Sequence, residues 1–236
     1  MFPTTQAQIY LESLRGRFQT EGYRSFRTFN FEEYRAADRE PFGTLEVLND
    51  ETLMPECSHA LRVDRLCQVI LLPVAGAIEV GEKGRGPRFV NSGEALFILA
   101  SPDEVYTIAN PYPDEAINYL QIRINDGTFL STPVPLSGIT VQFDVSEKNV
   151  LLPVGGDNGS RARLFIGQYD GREEGIFSSG NADHNAFIFV IEGAFEVQNR
   201  LLERRDGLAL DNAEMVEFEA LSNGAIILIM NIGGQD

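Results

Sequence analysis

The chain has 236 residues, of which 43% are apolar and 23% charged, a composition typical of globular domains and long enough for one large or two small ones. Its formal net charge of −16 argues against nucleic acid or an anionic membrane as a partner, because both are bound through Lys and Arg. No apolar run approaches the roughly 20 residues of a membrane span, and no export signal is evident. The two cysteines, Cys57 and Cys67, are too few for a disulfide framework, so we expect reduced thiols and a cytoplasmic location.

The first segment of the chain, residues 5–15, is open to two interpretations. Thr5 and Gln8 could form the capping box of a helix. Ile9 and Leu11 alternate with their neighbours as in a strand. We expect a strand.

Short apolar runs dominate the rest of the first half. They are separated by Gly, Pro, Asn and Asp, which is the pattern of an antiparallel sandwich or barrel. The runs are residues 69–72, 77–80, 95–99, 105–108 and 119–124.

An internal repeat links the two halves. The sequence Gly-Ala-x-Glu-Val at residues 76–80 recurs at residues 193–197, each time after an apolar run. In each half a later glycine, Gly93 or Gly207, precedes another apolar strand. We therefore predict tight turns at Gly76 and Gly193 and the next corners at Gly93 and Gly207. The repeat predicts two domains, residues 1–130 and 131–236.

Two motifs carry a resemblance to a known family. Residues 27–34 read Arg-Thr-Phe-Asn-Phe-Glu-Glu-Tyr, and residues 41–51 read Pro-Phe-Gly-Thr-Leu-Glu-Val-Leu-Asn-Asp-Glu. With a degenerate second cupin from Arg161 to Ile232, the chain resembles the pirin family. The resemblance implies an all-β bicupin, two tandem antiparallel β-barrel (jelly-roll or cupin) domains, in which the N-terminal strand can cross onto the other barrel.

The resemblance also implies a metal in the N-terminal barrel, held by three histidines and a glutamate. Counting without gaps from Asn49 and from Gly93, the four ligand positions fall on residues of other types. They are Arg62, Asp64, Tyr106 and Ile108. The chain has only two histidines, His59 and His184, one in each half. We therefore predict no metal and no cofactor. An atypical metal site built from Cys57, His59, Asp64 and Tyr106 is the alternative.

The same positions predict a ligand pocket in place of the metal. Arg62 would grip an anionic group through two hydrogen bonds. In the alternative interpretation, Arg62 and Asp64 form an internal ion pair that fills the space. The pocket residues are Arg62, Asp64, Gln68, Tyr106 and Ile108. No catalytic residue is predicted, because neither Cys57 nor His59 has a visible orienting partner.

Three functions follow as hypotheses. The first is a non-catalytic, metal-free pirin-like bicupin that binds a small molecule or a protein partner. The second is a metal-dependent dioxygenase of the quercetinase kind with an atypical site. The third is a transcription-associated regulatory protein, for which the acidic surface favours a basic protein partner over DNA. The oligomeric state is not specified by the sequence.

Overall fold

The computed structural model describes residues 6–82, 86–125, 138–155, 162–180 and 185–232. The strands of the first half are β1 Ala7–Tyr10, β2 Gly16–Gln19, β3 Tyr23–Arg27, β4 Leu45–Leu53, β5 Ser58–Arg62, β6 Cys67–Ala75, β7 Ala77–Glu82, β8 Arg88–Asn91, β9 Glu94–Ala100, β10 Val105–Ala109 and β11 Ile117–Ile124. Those of the second half are β12 Ile139–Gln142, β13 Leu152–Val154, β14 Arg163–Tyr169, β15 Glu174–Ser178, β16 Asn185–Glu192, β17 Phe195–Val197, β18 Arg200–Leu202, β19 Gly207–Leu210, β20 Met215–Ala220 and β21 Ala225–Ile232.

Nearly all regular structure in the described residues is β-strand, as the sequence predicts. A single 3-10 turn at Glu12–Leu14 follows β1, so the first segment is a strand rather than a helix. No helix in the described ranges has the length and apolarity to cross a membrane.

Two compact units divide the chain. One contains Arg15–Pro41 and Leu45–Gln142, and we call it the N-terminal barrel. The other contains the described residues up to Leu14, Phe42–Thr44 and those from Phe143 onward, and we call it the C-terminal barrel. The predicted division between residues 130 and 131 lies outside the described residues. A single cut there does not reproduce these units, because residues 6–14 belong with the C-terminal barrel and β12 with the N-terminal one.

The pairing of the strands repeats between the two units. The N-terminal barrel has sheets ordered β12-β9-β6-β11-β4-β3-β2 and β5-β10-β7-β8. The C-terminal barrel has sheets ordered β1-β19-β16-β21-β14-β13 and β15-β20-β17-β18. From β3 to β11, each strand corresponds to the strand numbered ten higher in the second unit. The duplication predicted from the short repeat is therefore a duplication of topology. At the edges, β12 pairs with β9 and β1 pairs with β19.

The predicted turn glycines are correct in three positions and wrong in one. Gly76, Gly93 and Gly193 have φ of 75°, 86° and 76°, the left-handed region that favours glycine. Gly207 is not among the residues with positive φ. Arg205, with φ of 70°, occupies that corner. The two turns have an equivalent acidic residue. The Glu94 carboxylate accepts a hydrogen bond from the backbone amide of Asn91, and the Asp206 carboxylate accepts one from the backbone amide of Glu203. The residue of the second barrel that corresponds to Gly93 is therefore Arg205, two positions before Gly207.

Each barrel encloses a hydrophobic core. In the N-terminal barrel it includes Tyr23, Leu53, Val69, Ile78, Leu96, Tyr106 and Ile117. In the C-terminal barrel it includes Tyr169, Ile188, Phe195, Leu208, Phe218 and Ile227. These residues alternate along their strands with residues that point away from the core, as the two-residue period of a strand requires.

Replacing Gly193 with alanine tests the turn of the repeat. A Cβ there would lie 2.4 Å from Ser222 Oγ and 2.8 Å from Ala225 Cβ, at a φ that alanine disfavours. We expect a loss of about 2–4 kcal/mol in the free energy of unfolding, from backbone strain together with overpacking. Urea denaturation measures it. The control is Gly180→Ala, which has a similar φ of 73° and nothing within 4 Å of the added Cβ. An equal loss in both variants would show that packing at Gly193 is irrelevant.

Candidate functional site

The structure does not bring the five predicted pocket residues together. Tyr106 and Ile108 point from β10 into the N-terminal barrel and are 2% and 0% exposed. Arg62 and Asp64 are exposed, at and just after the end of β5. Gln68 is buried, but it alternates with the core residues Cys67 and Val69 and so lies on the other face of β6.

An error of one residue explains the position of Arg62 and Asp64. Leu61 and Val63 belong to the barrel core, and Cys57 packs against it. Arg62 and Asp64, each one position from a core residue, therefore face outward, because a shift of one position along a strand moves a side chain to the opposite face. The alternative internal ion pair is not formed. Asp64 lies 3.3 Å from Arg65 instead.

The core-facing residues at these positions do not fit a metal ion. Leu61, Val63 and Ile108 are hydrocarbon, and the Tyr106 hydroxyl donates a 2.7 Å hydrogen bond to Glu104. Iron, nickel and zinc prefer imidazole, thiolate or carboxylate ligands. Within the described part of the chain, no three His, Cys, Asp or Glu side chains are placed to hold a metal, and this includes Cys57, His59 and Asp64. A metal-free barrel nevertheless stays a prediction.

Of the predicted pocket residues, Tyr106 also lines a small cavity. This cavity has a volume of about 50 Å³ and lies between β7, β9 and β10, with Arg88 and Glu82 among its lining residues. Its size suits little more than an ordered water. It is therefore a poor candidate for a ligand site.

A different set of polar side chains faces the interior of the N-terminal barrel from three neighbouring strands. On β3, β4 and β11 they share a face with the core residues Tyr23, Leu53 and Tyr119. Ser25, Glu51 and Tyr119 form one cross-strand row, and Arg27, Asn49 and Gln121 form the next. We call these six residues the polar cluster. All six are between 0% and 3% exposed.

Most of the polar cluster lacks hydrogen-bond partners within the protein. Ser25 Oγ, both side-chain polar atoms of Asn49, both carboxylate oxygens of Glu51 and the Tyr119 hydroxyl are buried and unpaired. Gln121 differs, because its amide oxygen can accept bonds of 3.1 and 3.0 Å from Arg123. Each buried polar group left without a partner costs about 1–3 kcal/mol. Such a concentration on one face calls for bound water or a ligand.

Burial controls the protonation of this cluster. It raises the pKa of the Glu51 carboxyl to about 7. Tyr23, Ser25 and Asn49 approach the carboxylate without reaching normal hydrogen-bond geometry, so together with the charge of Arg27 they offset burial only in part. Burial and the Glu51 charge likewise raise the pKa of Tyr119. Glu51 can therefore gain or lose a proton near neutral pH.

Charged and aromatic groups lie beside the polar cluster. The His59 ring stacks on Tyr23 with a centroid distance of 4.1 Å. Burial lowers the pKa of His59, and the nearby Arg27 and Arg123 lower it further, against an opposing effect of Glu32. The Arg27 guanidinium donates a hydrogen bond to the Glu32 carboxylate, which is 47% exposed. Arg27 and Glu32 therefore connect the buried cluster to the surface.

The C-terminal barrel provides an internal comparison. There, Tyr169 pairs with Ala225 as Leu53 pairs with Ile117 in the first barrel. Following the register, Gly167 and Ile227 correspond to Glu51 and Tyr119. Phe165 and Ile229 likewise correspond to Asn49 and Gln121. The same topology thus forms with glycine or an apolar side chain at these four positions, so the fold does not require polar residues there.

The C-terminal barrel carries an acidic outer face. Glu174, Glu219 and Glu196 lie directly opposite one another on β15, β20 and β17, beside a surface cavity of about 250 Å³. Like charges in such cross-strand positions are destabilising. The basic protein partner stays a prediction, and charge reversal on this face would test it.

Comparison with known proteins supports the two-barrel assignment. Residues 160–232 match the family model of the quercetinase C-terminal cupin domain. The crystal structure of YhhW from Escherichia coli superposes with a TM-score of 0.85 at 18% identity, covering 98% of this chain and 99% of that one. The nickel(II) complex of bacterial pirin YhhW from the same organism gives 0.84 at 18% identity, with 98% and 100% coverage. Quercetin 2,3-dioxygenase from Acinetobacter baumannii gives 0.70 at 12% identity, with 96% and 85% coverage. No curated protein sequence matches significantly.

The fold and its interior thus define a bicupin, two antiparallel barrels formed by one chain. More particularly, its fold is that of the YhhW crystal structures, and residues 160–232 match the model of the quercetinase C-terminal cupin domain.

The polar cluster is not among the residues predicted from the sequence, although part of it lies in a motif singled out there. Asn49 and Glu51 lie in the motif that carries the pirin resemblance, in which Asn49 is the residue from which the implied metal-ligand positions are counted. Polar residues two apart, as in Tyr23-x-Ser25-x-Arg27 and Asn49-x-Glu51, were the available signal. Whether these polar residues form an interior site depends on which face of each strand points into the barrel. The other histidine, His184, lies outside the described residues.

Replacing Glu51 with glutamine tests the buried carboxyl. Because folding raises the pKa from 4.5 to about 7, the stability that protonated Glu51 provides is present below pH 4.5 and is lost as the pH rises through 7. The variant stays neutral, so we expect it to exceed the wild type in unfolding free energy by about 3 kcal/mol at pH 8, with little difference at pH 4. Urea denaturation across this range measures the effect. Glu21→Gln, at an exposed position of the same barrel, is the control. Parallel pH profiles for the wild type and Glu51→Gln would contradict a raised pKa.

Proposed function

We propose that this pirin-like bicupin is a non-catalytic protein that binds a small polar molecule in its N-terminal barrel without a metal. The observation that carries the proposal is the polar cluster, whose buried atoms at Ser25, Asn49, Glu51 and Tyr119 make no hydrogen bond of normal geometry within the protein, although Tyr23, Ser25 and Asn49 lie near the Glu51 carboxylate. A ligand with both donors and acceptors would supply the missing hydrogen bonds.

The C-terminal barrel strengthens this proposal. Since glycine and apolar residues serve at the corresponding positions there, the polar cluster of the first barrel lowers stability without being needed for the topology. Destabilising groups concentrated on one face of one barrel are typical of binding sites. Protein stability alone therefore does not account for the cluster.

The chemistry of the cluster indicates the type of ligand. Arg27, Asn49 and Tyr119 offer hydrogen-bond donors, and Glu51 offers either an acceptor or, when protonated, a donor. The Tyr23 and His59 stack adds a flat aromatic surface nearby. These features suit a small molecule better than an extended protein segment.

Oxygenase activity of the quercetinase kind is the less favoured function. That chemistry depends on a redox metal that activates substrate and oxygen. Of the positions implied by the family resemblance, Tyr106 and Ile108 face the core, and Leu61 and Val63 face it in place of Arg62 and Asp64. These four core-facing side chains do not provide a ligand set for such a metal.

Elemental analysis tests the metal-free part of the proposal. The protein is expressed in medium supplemented with iron, manganese and nickel and is purified without chelators. We expect far less than one equivalent of any of these metals, because the four core-facing positions lack suitable donors. A stoichiometric metal that resists dialysis would overturn this part of the proposal.

Thermal shift tests the binding part. The probes are a fixed set of small carboxylic acids, amides, polyols and phenols. We expect at least one class to raise the Tm of the wild type in a concentration-dependent way, by about 5 °C near saturation, since a ligand at 100 times its Kd adds about 2.7 kcal/mol. Asn49→Leu should abolish the response, because it removes two of the unpaired polar atoms.

Arg62→Ala is the matched control, because Arg62 is exposed and lies on the outer side of β5. It should respond as the wild type does. A full response in Asn49→Leu, or no response of the wild type to any probe, would show that the polar cluster is not a binding site.

A further inference from the structure

A tight turn at Phe31–Tyr34 lies beside the polar cluster. The turn is closed by two main-chain hydrogen bonds, from Phe31 to Tyr34 at 3.2 Å and from Tyr34 to Phe31 at 2.9 Å. Its base is held in place, because the Tyr34 ring occupies the space where a Cβ on Gly16 would lie. The tip consists of Glu32 and Glu33, which are both exposed.

The side chains of this turn contact two positively charged groups of the barrel, the guanidinium groups of Arg27 and Arg123. Arg27 donates to the Glu32 carboxylate and, at 3.1 Å, to the carbonyl of Phe31. The guanidinium carbons of Arg27 and Arg123 lie 5.1 and 5.2 Å from the centroid of the Phe31 ring. A carboxylate and an aromatic ring from the protein itself thus rest on two buried arginines.

The backbone of Glu32 is strained in this position. Its φ is 48°, in the left-handed region where turns usually have glycine or asparagine. A glutamate is kept there at a conformational cost, although a glycine would form the turn with less strain. The carboxylate side chain of Glu32, rather than the conformation of the turn, therefore explains why a glutamate is found at this position.

From this arrangement we propose that the N-terminal barrel binds a small aromatic carboxylate, and that Phe31 and Glu32 occupy its place until the ligand displaces them. The ligand's carboxylate pairs with Arg27, its ring lies against the guanidinium groups of Arg27 and Arg123, and its remaining polar groups reach Asn49 beside Arg27. The proposal rests on the proposed function and specifies its ligand class.

Displacement is favoured by the physical difference between the two carboxylates. Glu32 is half exposed and approaches Arg27 from the surface, whereas a free ligand can present its carboxylate and ring to the arginines without backbone strain. Cation–π contact with two guanidinium groups favours an aromatic ring over an aliphatic chain. The nearby Glu51 opposes an anion only when ionised, so binding should be tighter at about pH 6 than at about pH 8.

Calorimetric titration with benzoate at about pH 6 tests the proposal. Glu32→Gly removes the competing carboxylate and relieves the strained φ, and Glu32→Gln removes the charge while keeping the length. We expect both variants to bind benzoate at least about tenfold more tightly than the wild type, because the carboxylate hydrogen-bonded to Arg27 is removed and only the exposed Glu33 carboxylate, 3.7 Å from Arg27, remains. Benzamide, which lacks the charge, and acetate, which lacks the ring, should each bind at least about tenfold more weakly than benzoate to Glu32→Gly.

Two further variants separate this mechanism from a general effect of charge. Glu21→Ala removes one exposed negative charge from the same barrel and should leave benzoate affinity unchanged. Arg27→Gln, made in the Glu32→Gly background, should lose benzoate binding. Equal affinities in the wild type, Glu32→Gly and Glu32→Gln, or full binding without Arg27, would overturn the inference.

The thermal-shift series distinguishes this result from a failure of the proposed function. If a polyol or amide stabilises the wild type but not Asn49→Leu while benzoate binds none of the variants, the barrel is a binding site for another class of ligand and only the present inference is wrong. If neither benzoate nor any other probe responds, both are wrong.

Discussion

The two-residue alternation of side chains along paired strands is the constraint on which the N-terminal barrel depends. Hydrogen bonding fixes β3, β4 and β11 in one register, so every second residue of all three strands must face the interior. Tyr23, Leu53 and Ile117 are placed inside by this rule and close the core at one end. The same rule turns Glu51 and Asn49 inward, because they alternate with outward residues on β4 in step with the core residue Leu53.

The two barrels separate what the fold needs from what the site needs. Both use the same strand order and register, and both fill most of their interior with hydrocarbon. Only the first has a carboxylate, an amide and a tyrosine on adjacent strands, where the second has Gly167, Phe165 and Ile227. Duplication of one topology with divergence of the interior allows one barrel to provide stability while the other carries polar groups that reduce it.

Protonation and hydrogen bonding reduce the free-energy cost of burying charged groups in the N-terminal barrel. An isolated buried carboxylate is costly, and Glu51 reduces this cost by holding its proton up to a pKa of about 7. Arg27 is paired with the Glu32 carboxylate, and Arg123 donates hydrogen bonds to the Gln121 amide oxygen and the Arg62 carbonyl, so both buried guanidinium groups have acceptors. The pairing of Arg27 with a half-exposed glutamate links the interior to the surface, which is where a ligand would have to compete.

The sequence alone determined the fold class, the duplication and the strand character of the N-terminal segment, because these depend on local alternation, on turn glycines such as Gly76 and Gly193, and on motif similarity. It also showed that no set of three histidines exists within one half. Only the tertiary structure decided which side chains meet. Arg62 and Asp64 were predicted to face a pocket inside the barrel, yet Leu61 and Val63 face the interior and belong to its hydrophobic core, since an error of one residue in counting reverses the face of a strand. Glu51, Tyr119 and Ser25 are distant in sequence and become neighbours through the register of three strands, a relation that no spacing along the chain records.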